Sequence, residues 1–226
     1  MLIDVTAVPP ASLVPLSPTA RSTVRRGANR ARTDRTDLYA VLDAGTVCHL
    51  GVVLEGAPVV LPTAYGRVED TLYLHGSTGS ASLRAAMTGS PVSVTVTLVD
   101  GVVHARSVFH FSMNYRSAVV HGTARTVTDP DERLAGLRAL TEQVAPGAWS
   151  YARQPNRKEL AATAVLALDL TEASVKVRTG PPVDDETDVR DRPEVWAGVR
   201  PLRVVADAPL PCPTVPDGVP VPAHLR

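Results

Sequence analysis

The chain has 226 residues, 44% of them hydrophobic, and its 23 basic side chains balance 23 acidic ones. This length suits one large β-rich domain with extensions, and a balanced charge argues against a nucleic-acid binder. No stretch approaches the roughly 20 apolar residues of a membrane span, and the N-terminus lacks the pattern of a signal peptide, so a cytoplasmic protein is expected.

The first part of the chain predicts an arm, a basic segment and a short helix. Residues 1–20 are rich in proline and small residues, which favours a flexible arm. Asp34 can cap the helix and Gly45 can end it. The basic segment that follows the arm is predicted to be solvated or to cover a partner, or alternatively to make phosphate or dimer contacts; its arginines are Arg21, Arg25, Arg26, Arg30, Arg32 and Arg35.

From Thr46 to about Arg125 the pattern predicts strands. Glu55-Gly56 is a turn between two apolar runs, and Val92 to Leu98 alternates apolar and polar residues. Asp100-Gly101 predicts a hairpin leading into a strand at Val102–Ser112. Six strands joined by short turns indicate a mainly β, six-stranded antiparallel barrel.

Helices and irregular segments complete the prediction. A helix after Ser80 ends at Gly89, and a second begins with Asp129 as cap, Pro130 at its first position and Glu132 closing a capping box. The segment ELAATAVLALDL reads as helix or strand, and ASVKVR as a late strand. The predicted organisation is an arm (1–20), a barrel domain (21–180) and a proline-rich extension (181–226).

The segment LYLHGSTGS is the strongest candidate for chemistry. Ser77, Thr78 and Ser80 surround the start of the helix that follows the strand, where free backbone N–H groups favour a phosphate. Gly76 and Gly79 would allow close backbone approach. Plain N-capping by a serine is the alternative, and neither the Walker nor the dinucleotide pattern is present.

The remaining histidines and cysteines give weaker signals. Alternation along Val102–Ser112 predicts a polar face with His104 and His110, which suits solvent or an interface better than a metal. Cys48 is expected to be a buried thiol, Cys212 lies in the proline-rich tail, and no metal site is predicted. A hydrolase has little support, because no nucleophile motif is present.

Several ordered motifs carry a resemblance to a known family. They are HLGVV, PVVLPTAYG, DTLYLHGS, ARSVFHFSMNYRS, VRTGPPVDD and VWAGVRPL. Together they resemble the pyridoxamine 5′-phosphate oxidase-like flavoproteins, nearest to the branch of the nitroimidazole-resistance reductases. The resemblance covers about residues 21–210.

The resemblance implies a split β-barrel homodimer that binds FMN at the dimer interface. The arginine-rich FMN strand of the parent oxidases reads LPTAYG here, so other groups must hold the phosphate. The residues that it implies around the cofactor are Thr63, Ala64, Tyr65, His75, Gly76, Ser77, Ser80, Asn114, Tyr115 and Trp196.

The function that follows is reduction or oxidation of a small molecule, such as a nitroaromatic or quinone-like acceptor, with reduced nicotinamide as electron donor. His75 is the candidate for proton delivery, with a purely structural role as the alternative. Two other classes stay open. One is a flavin-sequestering protein without activity, and the other is a haem- or deazaflavin-binding barrel in which His75, His104 or His110 ligates the haem iron.

Overall fold

The computed structural model describes residues 15–225, and these form a strand-rich fold with six α-helices. The strands are β1 (Ala31–Arg32), β2 (Val47–Leu54), β3 (Ala57–Val68), β4 (Thr71–Ser77), β5 (Pro91–His104), β6 (Ser112–Thr123), β7 (Arg125–Thr126), β8 (Thr163–Asp169), β9 (Ala173–Arg178) and β10 (Gly198–Pro201). The helices are α1 (Arg35–Ala44), α2 (Ala81–Met87), α3 (Pro130–Val144), α4 (Ala148–Tyr151), α5 (Arg157–Ala162) and α6 (Glu186–Asp191).

The strands pair antiparallel in the order β1-β9-β6-β5-β2-β3-β4-β8-β7, with β10 added to β5. Strand β3 changes partner along its length. Its first part, Ala57 to Ala64, pairs with β2, whereas Tyr65 to Val68 pairs with β4. The predicted class, a mainly β antiparallel split barrel, is confirmed, and the partner change in β3 is the point at which the barrel divides.

The main core lies between the inner faces of these strands, where the predicted alternation is observed. Val92, Val94 and Val96 of β5 are buried, and so is Cys48 of β2, whereas its neighbour His49 is exposed. Helix α1 forms as predicted, with Asp34 capping through the Thr36 N–H and with Leu38, Val41 and Leu42 buried in the core. Burial raises the pKa of the Cys48 thiol to about 12.

The described residues form ten strands, not the predicted six: one predicted turn does not form, which merges two predicted strands, while β1, β7, β8, β9 and β10 are additional. Strand β5 runs through Asp100-Gly101, where the register against β6 shifts between Val99 and Gly101. Arg116 binds the Asp100 carboxylate with N–O distances of 2.8 and 3.0 Å. Asp100-Gly101 therefore forms a bulge within β5. The chain reverses toward β6 only after His104, so the predicted strand at Val102–Ser112 is wrong beyond His104. The segment ELAATAVLALDL, predicted as helix or strand, forms the end of α5 and then β8. Strands β1, β7 and β10 are short and were not predicted.

Helix α3 packs across β3 and β4 through two close contacts at glycine residues. A Cβ on Gly66 would lie 2.4 Å from the backbone of Ala139, and a Cβ on Gly136 would lie 2.7 Å from the Tyr73 ring. Only glycine permits this approach. Asp129 caps the helix through the Glu132 N–H as predicted, but the Glu132 carboxylate binds Tyr73 and Arg125 and closes no capping box.

The two ends of the described chain differ in burial. Leu16, within the predicted arm, is buried in the main core, while residues 1–14 lie outside the described part. After β10 the chain is exposed as far as Val221, and near the C-terminus the His224 ring lies 5.2 Å from that of Tyr151. In residues 15–225, no helix has both the length and the apolar character needed to cross a membrane.

Candidate functional site

The candidate site lies where β3 and β4 separate. Tyr65 pairs with Leu74, but the residues before Tyr65 pair with β2. His75, Gly76 and Ser77 continue β4 and pair with β8 on the other side. The gap between the diverging strands opens three cavities, and His75 lines all of them.

His75 has an unsatisfied ring nitrogen. Within residues 15–225 its Nδ1 atom is buried and has no hydrogen-bond partner. Burial also lowers the pKa of His75 below its usual value, so the neutral imidazole is favoured at neutral pH. A neutral imidazole without a partner is a group that can ligate a metal centre or hydrogen-bond a ligand.

Two of the cavities form an apolar cleft between β4 and helices α3 to α5. One has a volume of about 410 Å³ and the other about 310 Å³, and both are lined by His75, Leu137 and Thr141. The apolar lining continues with Ala64, Leu140, Val144, Ala145, Ala148, Trp149, Ala152 and Leu160. His75 is the one side chain in the two linings with a nitrogen or sulfur atom suited to binding haem iron.

The edge of this cleft is polar. Arg153 and Gln154 line it beside Glu159, and the Arg153 guanidinium binds the Glu159 carboxylate at 2.5 and 2.9 Å. This contact, with the Asn156 N–H, lowers the pKa of Glu159 to about 2. The cleft thus has an apolar interior and a charged edge, which is the arrangement that an amphipathic planar cofactor requires.

The third cavity, of about 210 Å³, lies between β2, β3, β4 and α2 and is rich in hydroxyl groups. Thr63, Ser77, Ser80 and Ser82 line it, together with His75 and Gly76. The Ser80 hydroxyl accepts from the Leu83 N–H at 3.5 Å, so the N-capping role considered from the sequence is present. The cavity lining contains no lysine or arginine.

Several predicted site residues have structural explanations that the sequence did not reveal. Tyr65 is fully buried, and its hydroxyl donates to the Leu42 and Gly45 carbonyls at 2.5 and 3.1 Å. A Cβ on Gly76 would lie 2.4 Å from Leu83, so helix packing accounts for this glycine. Ala64 lines the apolar cleft.

Asn114, Tyr115 and Trp196 do not line these cavities. The Asn114 amide binds the Arg178 guanidinium and donates to the Gly180 carbonyl, and Tyr115 pairs with Arg178 in the sheet. Trp196 is 66% exposed and lies 5.6 Å from the His104 ring. Within one chain, the structure therefore brings together Thr63, Ala64, His75, Gly76, Ser77 and Ser80 only.

The other two histidines considered as ligands lie elsewhere. His104 contacts the rings of Phe111 and Trp196, at centroid distances of 5.4 and 5.6 Å. His110 lies 3.3 Å from the Asp185 carboxylate and is close to Asp188 at the surface. Of the three histidines, His75 alone lines the cavities between β3 and β4.

Comparisons with known proteins identify the family. A family model described as pyridoxamine 5′-phosphate oxidase matches residues 34–177, which is more than half of the chain. The chain belongs to this family. The resemblance seen in the sequence motifs is thereby confirmed.

Two solved structures are similar to this chain over most of its length. The flavocytochrome Anf3 from Azotobacter vinelandii is 38% identical, with a TM-score of 0.87, over 93% of this chain and 97% of its own. The FAD and heme binding protein from Mycobacterium smegmatis is 42% identical, with a TM-score of 0.82, over 86% and 95%.

A more distant structure shares the fold alone. A putative 5-nitroimidazole antibiotic resistance protein from Bacteroides thetaiotaomicron is 20% identical, with a TM-score of 0.56, over 65% of this chain and 86% of its own. No significant match was found among the curated proteins.

The sequence did not predict the apolar cleft. Its walls come from α3 and from the segment PGAWSYARQPNR, which connects α3 to α5. The signal available was Trp149, a large aromatic residue in an otherwise polar connection, because such a residue needs an apolar surface to cover. Its position opposite β4 follows only from the packing of α3.

Proposed function

We propose that this protein binds a haem in the apolar cleft, with His75 as the iron ligand, and a flavin on the other side of β4, and that it transfers electrons between them. The observation that carries the proposal is the buried, unpartnered Nδ1 of His75 beside a cleft that contains no competing ligand. The haem and flavin named for the two similar structures support the same pair of cofactors.

The residues present fit a haem. Leu137, Leu140 and Trp149 would cover its apolar faces and edges, while Arg153 and Gln154 at the cleft edge would meet its carboxylates. When bound, a haem would supply one-electron redox chemistry. His75 would be the ligand that this lining offers to the iron.

The flavin would use the hydroxyl-rich cavity. Thr63, Ser77 and Ser80 offer neutral donors there, and the cavity is far smaller than a whole flavin nucleotide. A second subunit would complete the site, so we propose a homodimer. The exposed apolar side chains of Phe109, Phe111 and Trp196 support such an interface.

A second candidate is an FMN-dependent reductase of small molecules that uses reduced nicotinamide and contains no haem. The cluster of Ser77, Ser80 and Ser82 favours it, because hydroxyl groups can hold a single phosphate without arginine or lysine. Here His75 would hydrogen-bond the flavin or deliver a proton.

The test is the absorption spectrum of the purified full-length protein before and after addition of haemin and of flavin, followed by desalting. We expect a Soret band in the wild-type protein and its loss in His75→Ala, with flavin bands retained. His49→Ala, at an exposed histidine that lines none of the three cavities, is the matched control and should keep both. The haem proposal would be wrong if the Soret band persists in His75→Ala, or if the wild-type protein retains flavin but does not bind haemin. Either result would favour the FMN-dependent reductase.

A further inference from the structure

A cluster of three basic side chains, Arg30, Lys176 and Arg178, lies away from the His75 cavities, where β1 pairs with β9 at the edge of the sheet. Arg178, the last residue of β9, is a charged side chain with only 8% of its surface exposed. Its guanidinium donates to the Asn114 side-chain oxygen and, at 3.5 Å, to the Pro181 carbonyl. Both acceptors are neutral, so the buried charge has no carboxylate to balance it.

Two more cations lie beside it. Gly27 has a φ of 65°, a left-handed conformation that turns the basic segment back onto β9. The Lys176 Nζ atom and the Arg30 Nε atom both lie within 4 Å of the position that a Cβ on Gly27 would occupy, at 3.8 and 3.9 Å. Two positive groups thus converge on one small volume.

The third cation faces the same volume. Lys176 and Arg178 are two residues apart on β9 and therefore point to the same side of the sheet. Arg30 is also close enough to Arg178 for its charge to lower the pKa of that guanidinium, after the larger effect of burial. Among residues 15–225, no carboxylate forms an ion pair with Arg30, Lys176 or Arg178.

Such an arrangement is unfavourable without a ligand. Like charges in contact repel, and a buried cation without a counter-ion costs far more than a solvated one. The neighbouring ion pairs show that this chain does pair its arginines elsewhere, since Arg21 binds Glu172 and Arg116 binds Asp100. An anion bound among these cations would offset the cost.

We propose that Arg30, Lys176 and Arg178 form a binding site for a phosphate-type oxyanion, separate from the cavities around His75. Arg178 supplies the planar donor pair that suits such a group, and Asn114 holds its orientation. Arg30 and Lys176, both half-buried, form the entrance. The bound group is either a free phosphate or pyrophosphate, or the phosphate end of a nucleotide.

The site is tested by isothermal titration of the full-length protein at low ionic strength with inorganic phosphate, inorganic pyrophosphate and ADP. We expect one pyrophosphate or phosphate to bind per chain. Arg30→Gln should weaken that binding at least about tenfold, as expected for loss of one charge-assisted hydrogen bond. Arg25→Gln, an exposed arginine of the same segment, should leave it unchanged.

Arg178→Gln tests the deeper position, and its folding is monitored by the melting temperature. Arg178→Lys keeps the charge, and we expect it to bind more weakly than the wild type but more tightly than Arg178→Gln.

ADP binding tighter than pyrophosphate would identify a nucleotide as the ligand, and equal affinity would identify the free anion; both support the site. Absence of binding by all three probes, or equal losses in Arg25→Gln and Arg30→Gln, would overturn it. Because ADP is also a part of FAD, its binding counts for this site only where Arg30→Gln weakens it and Arg25→Gln does not; this criterion makes the outcome independent of the proposed function.

Discussion

At His75, burial favours the neutral imidazole, which is the form that binds a metal through a ring nitrogen, and within residues 15–225 the Nδ1 atom has no hydrogen-bond partner. The sequence identified this residue because a strand, LYLHG, delivers it to a turn rich in hydroxyl groups. The sequence could not show that His75 also lines the apolar cleft beside helix α3, in addition to the cavity lined by serine and threonine hydroxyl groups. That orientation places His75 between two chemically different cavities.

The lowered pKa of His75 predicts a pH dependence of stability. The unfolded histidine binds a proton near its ordinary pKa of about 6.5, whereas the folded one resists protonation. The stabilisation from this residue is therefore full above about pH 6.5 and is lost as the pH falls through the folded pKa.

The measurement is the free energy of unfolding of the cofactor-free protein, obtained with urea at neutral and at mildly acidic pH. His75→Gln should lose less stability on acidification than the wild type. His49→Gln, a change at an exposed histidine, should behave as the wild type does. Equal pH dependence in wild type and His75→Gln would contradict the prediction.

Tyr65 gives a second prediction at the residue scale. Its hydroxyl is buried and donates to two carbonyls, which also accept from Gln143 Nε2 at 3.0 and 2.5 Å. Tyr65→Phe should therefore cost about 1 kcal/mol of unfolding free energy. Flavin content should be unchanged, because the side chain faces the core. A loss of flavin without loss of stability would place the hydroxyl in the cofactor site instead.

At the scale of elements, the contact of α3 with β3 and β4 decides whether the apolar cleft exists. Gly66→Ala and Gly136→Ala would each push α3 away from the sheet, because the added methyl group meets backbone or ring atoms at 2.4 and 2.7 Å. We expect each to lower the unfolding free energy by about 1–3 kcal/mol, as overpacking does, and to weaken haem retention.

Thermal and urea unfolding measure the first effect, and the Soret absorbance after desalting measures the second. Gly51→Ala is the control, since its Cβ would meet nothing closer than 3.5 Å and its strand conformation suits alanine. Its stability should be unchanged or slightly higher. Wild-type stability in both Gly66→Ala and Gly136→Ala would show that α3 can move without cost.

Elements also show where local sequence patterns mislead. Asp100-Gly101 is a strong hairpin signal, yet β5 continues through it because Arg116 binds Asp100 and β10 pairs with the residues that follow. Glu132 stands at the capping-box position, but the hydroxyl of Tyr73 and the guanidinium of Arg125 offer its carboxylate better partners. In both cases a contact from a distant part of the chain outweighed the local preference.

At the scale of the whole molecule, the proposed homodimer predicts an interface at an exposed apolar group. Phe109 is 86% exposed, and Phe111, Met113 and Trp196 are exposed with it. Such a patch is costly in water unless it is covered. Phe109→Ser should raise the dimer dissociation constant by about tenfold or more, as loss of a large aromatic anchor does.

Analytical ultracentrifugation over a concentration series measures this effect. Val68→Ser, which changes an exposed apolar residue at the end of β3, should leave the dissociation constant unchanged. A wild-type protein that remains monomeric at all concentrations, or a dimer unaffected by Phe109→Ser, would place the interface elsewhere or remove it.

The sequence by itself determined strands β2 to β4, the alternating part of β5 from Val92 to Leu98, the cap of α1, the Asp129 cap of α3 and the position of His75 near the end of a strand. These features depend on period, capping and motif, which neighbouring residues encode. Only the tertiary structure decided that α3 lies across β4, that Arg30 meets Lys176 and Arg178, and that His75 faces an apolar cleft. Those contacts join residues far apart in the chain, and they depend on the shapes of packed surfaces, which no local pattern specifies.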